Sequence, residues 1–332
     1  MQDMFAACSL LKALCLMVLF TLPAAANDST ASLDTGELVL IPNADIRLEE
    51  EELFISPDEI RVRYVFYNTS SETITTPVAF PLPPVDYSYE ANYSADPADA
   101  VNFVDFRLWV DGRNTPFQID ARAITRDGRD VTSLLAKYGI PITTFTSDEA
   151  GFSGLRNHLE TLPRAAMAEL RSVGAIHGPD WGEGFYEAWI ANVAFYWMQS
   201  FPSHTRVVIE HRYRPVPTYT FYGNYDLEAQ HLFDEACIDA DFEFGARRRM
   251  ADQPYEMLGA TILKYILVTA NNWRGSIGRF HLTIDKGSTD AIVSLCRDGI
   301  RKTGPTIFEW EGRDFQPNQD LTLLFLAPLP TE

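Results

Sequence analysis

The sequence predicts a mainly β protein, with antiparallel, sandwich-like halves and an α-helical insertion between them. Three observations carry this expectation. Short runs alternate apolar and polar residues on both sides of the chain, and Asp-Gly, Asn and Pro clusters punctuate them. Between 128 and 185 the apolar spacing shifts to the helical period.

Residues 1–26 read as a signal peptide. Lys12 precedes an apolar run from Ala13 to Leu22, and Pro23 leads into Ala24 and Ala26, an A-x-A cleavage pattern that sets the mature start at Asn27. Met4 serves as a start codon position as well as Met1 does. The run is too short to cross about 30 Å of hydrocarbon, so no transmembrane segment is expected after cleavage. Cys15 follows Leu14 rather than a small residue, and Cys8 lies too near the start, so no lipid anchor is expected. The expected location is periplasmic or secreted.

Residues 27–127 form the expected N-terminal β-sandwich-like region. From Glu59 to Thr69, Ile60, Val62, Tyr64 and Phe66 share one face of a strand; a turn at Asn68-Thr69-Ser70-Ser71 leads to Ile74, Thr76, Val78 and Phe80 on the next. Pro81, Pro83 and Pro84 end that ladder, because proline has no N–H to donate. A small, acidic loop from Ala91 to Ala100 precedes a strand over Val101 to Val110, which Asp111-Gly112 turns back into Phe117 to Ile124. Glu49 to Glu52 reads as a solvated strand edge.

Residues 128–185 form the helical insertion. Asp130 to Tyr138 reads as a short helix stopped by Gly139 and Pro141, and Leu155, Leu159, Leu162, Ala166 and Leu170 recur at helical intervals, with Pro163 as a kink or restart. Residues 186–332 return to strand patterning, first at Trp189, Ala191, Val193, Phe195 and Trp197, then at Arg206 to Tyr213 and in later short runs. Arg247-Arg248-Arg249 reads as a solvated turn. Asp239, Asp241 and Glu243 read as one exposed face of an extended stretch.

Composition supports a real core: hydrophobic residues make up 46% of the chain and aromatics 12%, which argues against disorder. A net charge of −19 repels phosphate backbones and anionic headgroups, so no nucleic-acid partner is expected. Leader removal leaves Cys237 and Cys296, whose one possible pairing in an oxidising compartment is a disulfide; two separate buried thiols are the alternative.

Catalytic and metal spacings fail. Gly151-Phe152-Ser153-Gly154 lacks the last glycine of a nucleophile elbow, and Ser9 and Lys12, a Ser-x-x-Lys pair, lie in the leader. Phe244 and Met250 occupy the positions where an EF-hand needs glycine and glutamate. The six histidines show no ligand spacing and read as structural or surface residues, and no phosphate-cradling glycine loop points to a nucleotide. No catalytic residue, metal or cofactor is assigned. The candidate binding residues are aromatic: Tyr219, Phe221, Tyr222 and Tyr225 around Gly223-Asn224, and Trp181 beside the glycine-rich exit of the insertion. Flat rings beside polar turns can stack on sugars or peptides, although a packed β corner uses the same residues.

Asn27-Asp28-Ser29, Gly36-Glu37-Leu38-Val39-Leu40, Val78-Ala79-Phe80-Pro81-Leu82-Pro83, His211-Arg212-Tyr213-Arg214-Pro215 and Ile277-Gly278-Arg279-Phe280 stand in this order along the chain. Together they resemble the exported bacterial domain of unknown function 4424 (DUF4424) family, over nearly the whole mature chain. The resemblance implies a bacterial exported protein and carries over no catalytic or binding residue. The leading expectation is a non-catalytic binding module for an envelope polymer or protein partner. An exported hydrolase with an active site assembled from sequence-distant residues is the second reading, and a structural cell-envelope component the third.

Overall fold

A computed structural model describes residues 28–34, 37–87, 92–93, 101–143, 158–159, 161–178, 185–223, 233–251 and 253–329. The leader and the expected cleavage site lie outside them. The first strands are β1 (Ser29–Asp34), β2 (Glu37–Leu40), β3 (Ile46–Ile55), β4 (Ile60–Asn68), β5 (Ile74–Pro81), β6 (Val85–Asp86), β7 (Asn92–Tyr93), β8 (Arg107–Val110), β9 (Arg113–Asn114) and β10 (Gln118–Thr125). The helices α1 (Thr132–Lys137) and α2 (Arg164–Ser172) follow, then β11 (Ile176–His177), β12 (Tyr186–Glu187), β13 (Trp189–Phe201), β14 (Arg206–Tyr213) and β15 (Thr218–Gly223). The helix α3 (Ala240–Met250) precedes β16 (Met257–Tyr265), β17 (Ile277–Asp285), β18 (Ile292–Leu295), β19 (Arg301–Lys302), β20 (Ile307–Phe315) and β21 (Leu321–Ala327). The protein is mainly β.

The strands form an eight-stranded sheet in the order β19-β20-β17-β3-β4-β14-β8-β9, a sheet β10-β13-β5-β1-β2 with β6 also on β13, a five-stranded sheet β18-β21-β16-β15-β7, and the small pair β11-β12. Strands from both sides of the helical insertion share the first two sheets. Among the described residues all pairings are antiparallel except β17 on β3. The inward residues of the eight-stranded sheet, such as Phe66, Ile209 and Leu282, meet Phe80 and Phe195 of the second sheet and Tyr265 and Leu323 of the third in one continuous core. Phe106 and Phe195 stack there at 4.1 Å between ring centroids.

Pro163 restarts the insertion, standing directly before α2 with φ −58°, where its missing N–H costs nothing. The acidic and basic runs expected to be an extended face and a turn are instead the two ends of α3. Asp239 caps it by accepting from Phe242 N at 2.7 Å. Asp241 and Glu243 fill the first turn and Arg247, Arg248 and Arg249 the last, each sign matched to the helix dipole. Phe242, Ala246 and Met250 cover the far face of the five-stranded sheet, over Leu258, Ile262 and Leu324.

Glu49 to Glu52 is not a sheet edge, since β3 lies between β17 and β4. A register shift between Leu48 and Glu50 inserts one residue, so the inward set changes parity from Ile46 and Leu48 to Glu51, Leu53 and Ile55. Beside this bulge the backbone of Gly278 approaches so closely that a Cβ there would lie 2.6 Å from Glu49 O. Gly278→Ala is therefore expected to destabilise by about 1–3 kcal/mol, since only backbone movement relieves the clash; chemical denaturation of the two proteins checks this.

Candidate functional site

The aromatic residues singled out in the sequence separate in space. Tyr219 and Phe221 project from one face of β15 and are 40% and 49% exposed. Tyr222, one residue on, points to the opposite face, where its ring meets Phe233 at 5.3 Å beside the α3 cluster. Tyr225 and Trp181 lie outside the described residues.

On the outward face of the eight-stranded sheet a shallow groove of about 560 Å³ runs past Phe54, Trp109, Glu210 and His281. Its charges are largely matched across strands. Glu59 bridges Arg212 at 2.5 Å and Arg61 at 3.1 Å, and the Arg61 guanidinium lies 4.2 Å from the Phe54 ring centroid. Arg63 sits within 4 Å of both Glu50 and Glu52. This is the solvated ladder expected of an open sheet face, each pair worth little in water.

The concentrated chemistry lies on the inward side. Asp28 enters the core just before β1, Glu51 points inward because of the bulge, and both are fully buried. His211 of β14 places Nε2 3.4 Å from Asp28 Oδ1. The Tyr64 and Tyr265 hydroxyls are 3.2 Å apart, and Tyr213, also buried, completes the group. Four aromatic rings surround the imidazole, with centroids at 4.8 Å for Phe80, 5.1 Å for Phe106, 5.5 Å for Trp197 and 5.6 Å for Tyr64. Neither ring nitrogen of His211 nor the Tyr213 hydroxyl has a hydrogen-bond partner among the described residues.

Burial sets the protonation of these groups. It holds His211 down to about 3 and, reinforced by the charge of Glu51, raises the Asp28 carboxyl well above the usual range. Acid and imidazole are thus each driven toward the neutral form, so their 3.4 Å approach is not a stabilising ion pair. Burial likewise raises the phenols of Tyr64, Tyr213 and Tyr265. An acid, an imidazole and three phenols could relay a proton, but no water-exposed surface reaches Asp28, and His211 is only 2% exposed. The constellation is sequence-distant, as the hydrolase reading required, yet lies in the core rather than in a cleft.

Alternation placed Val207, Ile209, His211 and Tyr213 on one strand face, and that parity was the available signal for a buried histidine. Glu51 was missed because the bulge reverses its side. Four of the five motifs carrying the resemblance approach one another here. Ser29 pairs with Ala79, Phe80 packs on His211, and Gly278 abuts the bulge that turns Glu51 inward.

The other expected pairing is present: Cys237 and Cys296 form a disulfide with Cα atoms 4.9 Å apart. Among the described residues no group of His, Cys, Asp and Glu has the arrangement of a metal site, and no helix is long and apolar enough to cross a membrane.

The family model described as Domain of unknown function (DUF4424) matches residues 26–324. None of the curated proteins matches the chain. Among solved structures, a "putative nutrient binding protein" from Legionella pneumophila is similar over 91% of this chain and 71% of its own, at 17% identity and a TM-score of 0.44. An M1 zinc metallopeptidase from Deinococcus radiodurans is similar over 86% of this chain and 43% of its own, at 6% identity and a TM-score of 0.27. The chain therefore spans less than half of that peptidase, and at these scores neither likeness bears on activity.

Proposed function

We propose that this chain, which belongs to the DUF4424 family, is an exported, non-catalytic binding protein of the bacterial envelope, periplasmic or secreted once its first 26 residues are removed. The observation that carries the binding reading is the pair Tyr219 and Phe221, two large rings held side-by-side on one strand face and left 40% and 49% exposed. Rigid rings gain contact area on a sugar or peptide with little entropy lost, which suits an envelope polymer or a protein partner. The disulfide supports export, since such bonds persist in oxidising compartments. Trp181 and Tyr225 belong to the proposed binding set on their sequence context alone.

Tyr219→Ala/Phe221→Ala is expected to leave the melting temperature within a few degrees of the parent, because both rings are partly in solvent, and to abolish retention of the envelope component that the parent captures. The measurement is quantitative capture from envelope extract by the two immobilised mature proteins. An unchanged captured set would remove these rings from the site. Tyr222→Ala serves poorly in this test, since it opens a gap against Phe233.

A further inference from the structure

The register of the eight-stranded sheet sets one side chain per strand in line across its outward face. Glu52 of β3 pairs with His281 of β17 on one flank and with Arg63 of β4 on the other; Arg63 pairs with Glu210 of β14, and Glu210 with Trp109 of β8. From His281 to Trp109 this row crosses four strand spacings, about 19 Å in all. A second row, Thr283, Phe54, Arg61 and Arg212, runs beside it two residues along each strand. Both rows line the groove of about 560 Å³, a size within the range of about 300–1,000 Å³ that small-ligand sites occupy.

Some of these side chains are braced and others are not. Glu59 holds Arg212 and Arg61, and Arg61 covers the Phe54 ring. Arg63 stands 3.8 Å and 3.9 Å from Glu50 and Glu52, beyond hydrogen-bond length, so its position is set while its N–H groups keep their capacity to donate. Trp109, Glu210, His281 and Thr283 make no side-chain hydrogen bond, ion pair or ring contact among the described residues. A half-buried indole therefore stands next to an unengaged carboxylate on the neighbouring strand, inside a frame of fixed guanidinium groups.

Three properties select the occupant. At these positions β17, β3, β4, β14 and β8 are each paired on both flanks, so an extended peptide finds no backbone ladder to join. Three guanidinium groups, Arg61, Arg63 and Arg212, meet four carboxylates, Glu50, Glu52, Glu59 and Glu210, in a chain of net charge −19, so an anionic polymer gains nothing by approaching. What remains is a ring face for stacking and planar polar groups at fixed positions around it. A neutral sugar matches both, with an apolar C–H face and a rim of hydroxyls that donate and accept. We infer that this groove binds a neutral oligosaccharide laid across the strands, one ring stacked on Trp109 with its hydroxyls donating to Glu210, and the next rings passing Arg63, Glu52 and His281. The site lies on a different sheet from Tyr219 and Phe221 and does not rest on their role.

The test is calorimetric titration of the mature chain with tetrasaccharides of glucose, mannose, galactose and N-acetylglucosamine, and with tetragalacturonate as the anionic counterpart. At least one neutral probe is expected to bind and tetragalacturonate to give no heat. Trp109→Ala and Glu210→Gln should each weaken the bound probe by at least about tenfold, with Trp109→Phe falling between parent and alanine variant. Glu210→Gln keeps the side chain's shape, so it decides the matter if Trp109→Ala does not fold. Tyr219→Ala/Phe221→Ala should bind the probe as the parent does. Failure of every neutral probe overturns the inference, as does a preference for tetragalacturonate or undiminished binding by Glu210→Gln. Loss of the probe in Tyr219→Ala/Phe221→Ala alone would move sugar recognition to β15, sinking the groove and leaving the reading of those rings intact.

Discussion

Acidification is expected to erode the stability advantage of the parent protein over His211→Gln by up to about 5 kcal/mol between pH 6.5 and about 3. The sign follows from where the imidazole binds its proton. Unfolded, His211 takes one up near 6.5; folded, enclosed by four rings, it resists until about 3. Between these values the unfolded chain holds the extra proton, so the contribution is fully present above 6.5 and is lost as the pH falls through the window. Asp28 acts in the opposite sense. Its folded carboxyl keeps a proton that the unfolded chain releases above about 3.8, so its contribution is present in acid and fades as the pH rises through the raised value. Because both proteins carry Asp28, the difference between their urea midpoints isolates the imidazole. A difference that stays flat across the window would mean that His211 is not held neutral in the fold.

Cys237→Ala/Cys296→Ala is expected to lose roughly 4 kcal/mol, measured as a lower denaturant midpoint that matches the parent under reducing conditions. The bond closes a loop of 59 positions containing α3, β16 and β17. In the chain-entropy account, opening it returns that freedom mainly to the unfolded state. The local consequence should fall on the five-stranded sheet and α3, because Ser294 of β18 also donates to Ala236 O at 2.8 Å beside the bridge. If the double variant unfolds at the parent's midpoint, the cross-link carries no stability.

The β character, the strands over residues 60–80 and 189–213, the helices α1 and α2 and the disulfide were legible because each is coded locally, by alternation, by spacing or by count. What escaped was coded by register. In β3 the apolar positions change parity between Leu48 and Leu53, the trace of an inserted residue, but only the neighbouring strands show that Glu51 rather than Glu50 or Glu52 turns inward. The charge run at Asp239 to Arg249 has its acids at one end and its bases at the other, a dipole-matched helix pattern that spacing by twos concealed. The candidate aromatic set divided for a related reason. Adjacent residues on a strand face opposite ways, so Phe221 and Tyr222 could not share a surface.

The parallel junction of β17 with β3 joins Arg279 to Glu50, 229 positions apart (279 minus 50). Most of the chain must therefore be available before the central sheet can close, and until then β3 keeps one open flank. Assembly of this kind is slow, because long loops must be ordered before their contacts form. The chain is thus most exposed to mispairing in the interval before β17 docks on β3, when that flank can accept the wrong strand.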